Sequence, residues 1–403
     1  MLVLINLSIF SQYAEIRAKQ ENLKSWEQSK DYGVFYPVNV GYDVEDIQHG
    51  SPKTTAAEAI ELYPVLNRMG AVFIEALMYD EMSLILNKDR EGIRSVKVNP
   101  NYLREFPVYF AHNQPVQVTE DTSDWILLVP EKYSNRENEI MSYFHKERAD
   151  AYEYEEHFFR RAVPDSVKNQ QIKIIWLADD QKIFSFNPKV FPAENNMIID
   201  PIIQVVTEEN SICADRANIM TGGGGTDPLK VRLINRDTAL TLRTLEPELK
   251  RLKLDDNLKH LITVEQFVLQ QIYDLQKWMN HLLLISLGLI AGLLILVVQN
   301  LTIFFNKYQR KFIVRRLFGI GFFRTYKEYI LLFSVTWAFQ LLISFFVNRA
   351  GAYIHFIGKL NEVADIKLFA VAAGLILFEL AASVMVLVII EQKNKVKVLK
   401  GGI

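Results

Sequence analysis

The chain has 403 residues, a formal net charge of −2 and a single cysteine, Cys213. One cysteine excludes an intramolecular disulfide and a cysteine-rich metal site, so an apolar core has to hold the chain together. The small net charge hides an uneven distribution: from residue 306 onward 14 Lys and Arg face 5 Asp and Glu, and the remainder carries 31 against 42. Such an acidic first part excludes nucleic acid as an expected partner, because phosphates call for clustered cations.

In chain order, Leu2 to Phe10 (LVLINLSIF) is apolar but about half the length that crosses a bilayer, and no basic flank marks it as a signal peptide. Residues 1–12 are read as the outer end of a membrane helix whose first part precedes this chain; an interfacial segment or a first strand is the alternative.

Residues 13–254 read as an α+β domain. Short runs rich in β-branched and aromatic residues predict strands at Val34–Val40, Ile93–Val98, Trp125–Val129, Ile172–Ala178, Ile202–Val206 and Lys230–Ile234. Helical spacing predicts helices at Thr54–Met69, with a kink at Pro64, and at Ser134–Arg148, Tyr152–Arg161 and Thr238–Glu246, the last interrupted by Pro247. This mixed order favours α+β over a doubly wound sheet.

The candidate chemistry in this domain is thin. Gly222-Gly223-Gly224-Gly225 is followed by Thr226-Asp227-Pro228, not by the Gly-Lys-Ser/Thr of a phosphate loop, and is read as a flexible loop. Glu153 and His157 lie at i, i+4 with His145 near, but Tyr152 to Glu156 reads as a solvated acidic face and not a metal site. No nucleophile elbow or zinc-helix motif is found, so the chain is not expected to be an enzyme or to carry a cofactor.

Residues 255–281 predict an amphipathic stalk helix. Asp255 and Asp256 are the expected N-caps, and Leu258, Leu261, Ile262, Val268, Ile272, Leu275 and Met279 recur at helical spacing, with no Gly or Pro before the membrane segment. Three runs then meet the requirement of about 20 mostly apolar residues for crossing a bilayer: 282–305, 329–347 and 368–390. Between the first two, residues 306–328 carry Lys307, Arg310, Lys311, Arg315, Arg316, Arg324 and Lys327; after the third, the tail 391–403 carries Lys393, Lys395, Lys397 and Lys400. Basic flanks stay in the cytoplasm, which predicts the loop and tail inside, 348–367 outside, and the large domain extracytoplasmic in a multi-pass cell-membrane protein. Glu379, near the middle of the third span, and Gln340, in the second with Thr336 one turn before it, are the intramembrane polar residues. A single acid falls short of a proton or ion path, and an interhelical hydrogen bond is the favoured role for Glu379.

The run Arg315-Arg316-Leu317-Phe318-Gly319-Ile320-Gly321-Phe322-Phe323, followed shortly by a membrane helix, resembles the loop of FtsX-like and MacB-like ABC permeases. The large external domain, three spans and a basic tail ending Val398-Leu399-Lys400-Gly401-Gly402 resemble more closely the bacteriocin-associated integral membrane proteins, immunity proteins of Gram-positive bacteria. The resemblance covers about residue 282 to the C-terminus. Members of that family are longer, with a further membrane unit before this part, and the chain has no ATP-binding motif. What the resemblance implies is mechanical coupling to a separate ABC-type ATPase subunit. Arg315, Arg316, Leu317, Phe318 and Gly319 are then the docking candidates: cations for an acidic surface, Leu and Phe as anchors, Gly for the turn. The other partners expected are the lipid bilayer, which the same cations suit equally, a peptide or bacteriocin, and a second copy in a homodimer. The alternative class is a stand-alone membrane-anchored binding or sensing protein.

Overall fold

The computed structural model describes residues 2–21, 26–27, 29–86, 92–349, 353–354, 358–359 and 365–399. Most of the expected external loop 348–367 and the terminal Lys400-Gly401-Gly402 lie outside the described residues. The chain divides into two compact units, Ala18–Ile272 and a second made of Met1–Arg17 with Tyr273–Ile403.

The first unit is the α+β domain. Its described residues form ten strands: β1 Tyr32–Phe35, β2 Val72–Glu75, β3 Ser95–Val98, β4 Trp125–Pro130, β5 Ile172–Leu177, β6 Lys182–Phe184, β7 Met197–Ile199, β8 Ile202–Val205, β9 Leu229–Arg232 and β10 Leu261–Thr263. Eight form one mixed sheet in the order β10-β1-β9-β2-β3-β8-β4-β5, and β6 pairs with β7 in a separate hairpin. The β3–β8 and β4–β5 ladders are parallel, and the other ladders of the sheet are antiparallel. Each of the six expected strands has a counterpart. The unbroken apolar run of β4, WILLVP, is buried along its whole length, as a strand covered on both faces must be. Trp125, Leu127 and Val129 join Phe73, Phe144, Leu229 and Leu245 in the main core.

Helix boundaries differ from the expectations for local reasons. Glu137–His157 is one helix of 21 residues: Ala149, Asp150 and Ala151 contain no breaker, and Ile140, Phe144 and Arg148 recur at i, i+4 on its buried side. Glu155 is also buried there and accepts from the Ala214 amide at 2.8 Å, so the acidic face is only partly solvated. The Thr238 helix runs on to Leu252 through Pro247, whose ring lies on the exposed side. Ahead of Pro64 the helix widens into a π-turn over Glu58–Leu62, which accommodates the residue that lacks an N–H without ending the helix.

Two further expectations are corrected. The stalk helix does not begin at Asp255 or Asp256, because Leu261–Thr263 is strand β10, paired with β1. It begins at Val264, behind a reciprocal cap in which the Gln266 amide donates to Thr263 Oγ1 and the Thr263 amide to Gln266 Oε1, both at 3.0 Å. The Gly222–Gly225 run is packed and not a flexible loop. Gly224 and Gly225 are buried, and a Cβ at either would collide with the Phe267 ring. Their neighbours bind the chain's own Asp227, which accepts from the amides of Thr221, Gly223 and Gly224 at 3.0–3.1 Å.

The second unit is the membrane unit, and the chain is a multi-pass membrane protein. Among the described residues three helices are long and apolar enough to cross a bilayer: Val264–Leu317, Lys327–Val347 and Ile366–Lys393. Leu2–Glu21 forms a helix, which settles the choice against a first strand. Within the unit its Val3 and Leu7 pack with Trp337, Leu368 and Ala372, and Asn6 Nδ2 donates to Ser286 Oγ at 3.1 Å.

Candidate functional site

The first membrane helix was expected to end at Phe305, but helical structure continues to Leu317, with one non-helical residue at Tyr308 (φ −115°, ψ 18°). Between Phe305 and Gly319 the sequence contains no Gly or Pro. Phe312 and Ile313 turn inward onto Leu301, Phe305, Tyr326 and Leu387, leaving Lys307, Arg310 and Lys311 exposed. This second stretch is amphipathic and is held by its apolar side.

The helix stops in a Schellman motif. Gly319 is left-handed (φ +75°), its amide donates to the Arg316 carbonyl at 3.2 Å, and the Ile320 amide donates to the Arg315 carbonyl at 3.0 Å. A short helix, Phe322–Thr325, leads to the second membrane helix. The turn separates the five expected docking residues into two groups. Arg316 Nε donates to Glu391 Oε1 at 2.9 Å and its Nη1 to the Ile320 carbonyl at 3.3 Å; Arg315 Nη1 donates to the Thr325 carbonyl at 3.3 Å and lies 3.8 Å from Glu328. Both arginines are therefore engaged by their own chain. Leu317 and Phe318, by contrast, are 66% and 82% exposed, and Phe323 beyond the turn is 76% exposed.

Glu391 was counted only as part of a basic tail, yet it is buried and also accepts from Tyr326 Oη at 3.2 Å. The available signal was its register: it follows Leu387 by four residues, on the side of the third helix that faces the first. The site is a turn that holds its two arginines inward and presents two exposed apolar side chains beside other exposed basic residues.

The intramembrane residues form a second constellation. Trp337 Nε1 donates to Glu379 Oε2 at 2.9 Å, joining the second and third membrane helices. The donor is neither Gln340 nor Thr336; the Thr336 hydroxyl bonds back to the Leu332 carbonyl at 2.9 Å. Trp337, Gln340 and Glu379 line one cavity of about 450 Å³ with Gly288, Gly292 and Leu293. Elsewhere, His157 Nδ1 contacts the Glu153 carbonyl at 3.0 Å, and among the described residues no group of three metal-ligating side chains is found.

Residues 284–401 match the model of a protein family of unknown function (DUF1430). No curated protein matches the chain. The DUF1430 stretch contains most of the first membrane span, the turn at Gly319, the second span and the Trp337–Glu379 bond, and none of the sheet domain. Both constellations thus lie inside the matched region.

Proposed function

We propose that this chain is a permease-like membrane subunit of an ABC-type assembly, acting in export of, or immunity to, a peptide such as a bacteriocin. A separate ATPase docks on Leu317 and Phe318 at the cytoplasmic end of the membrane helices, and the sheet domain lies on the opposite side of the membrane. The chain itself performs no catalysis. The observation that carries this reading is the exposure of Leu317 and Phe318 at a turn fixed by Gly319 and by the Arg316–Glu391 pair. A rigid turn with exposed apolar anchors loses little entropy on docking. The excess of Lys and Arg around it supplies both the orientation and attraction to an acidic partner.

The test is affinity purification of the full chain from its native membranes. The expected result is co-purification of a subunit with nucleotide-binding-cassette motifs and ATPase activity, with Leu317→Asp lowering its recovery at least tenfold at unchanged membrane level. Absence of such a subunit, or its retention by both Leu317→Asp and Phe318→Asp, overturns the reading. A second reading, a stand-alone membrane-anchored binding protein, is favoured by a cavity in the sheet domain and predicts ligand binding with no ATPase partner.

A further inference from the structure

The sheet domain contains a cavity of about 620 Å³ that ATPase docking does not use. Its floor is apolar: Ile93 precedes β3, Ile202 opens β8, and Ile140 comes from the helix above them, all three buried. Its walls are aromatic, formed by Tyr79, Tyr133 and Tyr143. Volume and lining suit a ligand with an apolar or aromatic body of one or two residues' size.

The polar groups around the cavity decide what else the ligand must carry. Asp200 is saturated, accepting from Lys132 Nζ at 2.5 Å and from the amides of Asp180 and Gln181 at 3.0 and 2.7 Å. Arg136 is held bidentately by Glu139 at 2.6 and 2.8 Å. Tyr79 Oη donates to the Arg94 carbonyl at 3.3 Å. Three lining groups have no hydrogen-bond or ion-pair partner among the described residues: the Arg94 guanidinium and the hydroxyls of Tyr133 and Tyr143. The guanidinium can only donate, and both phenols can donate. Burial, with Glu147 and Asp150 near, pushes the Tyr143 hydroxyl upward and keeps it a neutral donor at ordinary pH.

Among the described residues the unmet demand is therefore for a hydrogen-bond acceptor, and one guanidinium without a partner there matches one negative charge. We infer that this cavity binds an apolar or aromatic carboxylate, the group presented by the C-terminal residue of a peptide, with its carboxylate on Arg94 and its side chain between Tyr133, Tyr143 and the isoleucine floor. A phosphate monoester, with up to two charges and three acceptor oxygens, would be under-matched by the one cation without a partner among the described lining residues. The inference stands apart from ATPase docking.

The experiment uses the full chain in lipid nanodiscs and measures binding of N-acetyl-phenylalanine, its neutral amide, and a hexapeptide ending in phenylalanine with a free carboxylate. The acid is expected to bind saturably and the amide at least about tenfold more weakly, the loss of one charge-assisted pair. Arg94→Gln, at an exposed side chain without a partner among the described residues, is expected to abolish that preference. Tyr143→Phe, which keeps the ring, is expected to weaken the acid about threefold. Tighter binding of the hexapeptide assigns the site to peptide C-termini, and tighter binding of the single residue to small carboxylates; either supports the inference. Equal affinity for acid and amide, an acid preference that survives Arg94→Gln, no saturable binding of either acid, or displacement of the acid by an equal concentration of inorganic phosphate overturns it.

Discussion

In the sheet domain Trp125, Leu127, Phe73 and Phe144 are almost completely covered, whereas in the membrane unit Leu284, Leu331, Phe339 and Leu377 lie open on their helices. The contrast follows from the solvent each unit meets. Water penalises exposed apolar area, so the domain gathers its apolar side chains into one large cluster; lipid does not, so the membrane helices share only small clusters and leave apolar faces outward. Buried polar groups divide in a corresponding way. The domain encloses charges that depend on each other, as in Arg148 with Asp215; the membrane unit keeps such a pair, Arg316 with Glu391, at the basic turn and joins the second and third spans by the bond from Trp337 to Glu379.

The largest expected effect breaks the first kind of polar contact. Arg148 Nη1 donates to Asp215 Oδ1 at 2.6 Å, its guanidinium lies 3.8 Å from the centre of the Trp125 ring, and Lys97 Nζ is 3.9 Å from the same oxygen. Asp215→Ala leaves the guanidinium enclosed without its counterion and is expected to cost about 3–5 kcal/mol, measured by denaturant unfolding of the solubilised chain. The same pair sets an acid limit. Desolvation pushes the Asp215 carboxyl up, but the charges of Arg148 and Lys97, with the hydrogen bonds from the Ile212 amide and Arg148, outweigh it and hold the carboxyl below its usual value. A depressed folded value means the stabilisation is fully present above the unfolded carboxylate pKa of about 3.9 and is lost as pH falls through the folded value. Unfolding midpoints of the wild type and Asp215→Ala should therefore converge below about pH 3.9. Parallel curves across that range would show that the pair does not act through ionisation.

Much of this was legible in the sequence, and the limits are instructive. Periodicity and composition located six strands because their short runs are rich in β-branched and aromatic residues, fully buried in β1, β4 and β8 and partly so in β3, β5 and β9. Strand β2 escaped because VFIE follows a helix with only Met69, Gly70 and Ala71 between them. The strand β10 was absorbed into a helical pattern, although Thr263-x-x-Gln266 is a capping signature that marks the true start. Charge identified the basic turn and apolar length the spans. Partners remote in sequence were not legible: Glu391 for Arg316, Asp215 for Arg148 and Trp337 for Glu379 are fixed by packing over separations of 75, 67 and 42 residues. The cavity walled by Tyr79, Tyr133 and Tyr143 left no motif either, because its residues come from several separate segments.

An intermediate effect tests whether the membrane unit's turn is set by backbone and not by side-chain packing. Nothing lies within 4 Å of a Cβ built at Gly319, so Gly319→Ala meets no steric clash, only the strain of φ +75°. The expected cost is about 1 kcal/mol, read as a loss of a few degrees in thermal midpoint, with increased proteolysis at the turn. An unchanged midpoint would move the fixing of Leu317 and Phe318 from the glycine to the Arg316–Glu391 pair.

The smallest expected effect lies in the bilayer and sharpens the contrast most. Glu379 takes a single hydrogen bond from Trp337, and Glu379→Gln keeps a carbonyl oxygen able to accept it. Trp337→Phe removes the donor while retaining much of the ring that packs with Val3, Leu7, Leu368 and Ala372. Interhelical hydrogen bonds in membranes average only about 0.6 kcal/mol, because the separated helices also find partners. Trp337→Phe should therefore lower stability in nanodiscs by about that amount plus the loss from the smaller ring, with Glu379→Gln near zero and both variants reaching normal membrane levels. A Glu379→Gln loss comparable to that of Asp215→Ala would place an enclosed, charge-dependent site among the membrane helices, and the division of labour between the two units would no longer hold. Loss of activity at unchanged stability would instead assign Glu379 a role that a single hydrogen bond does not supply.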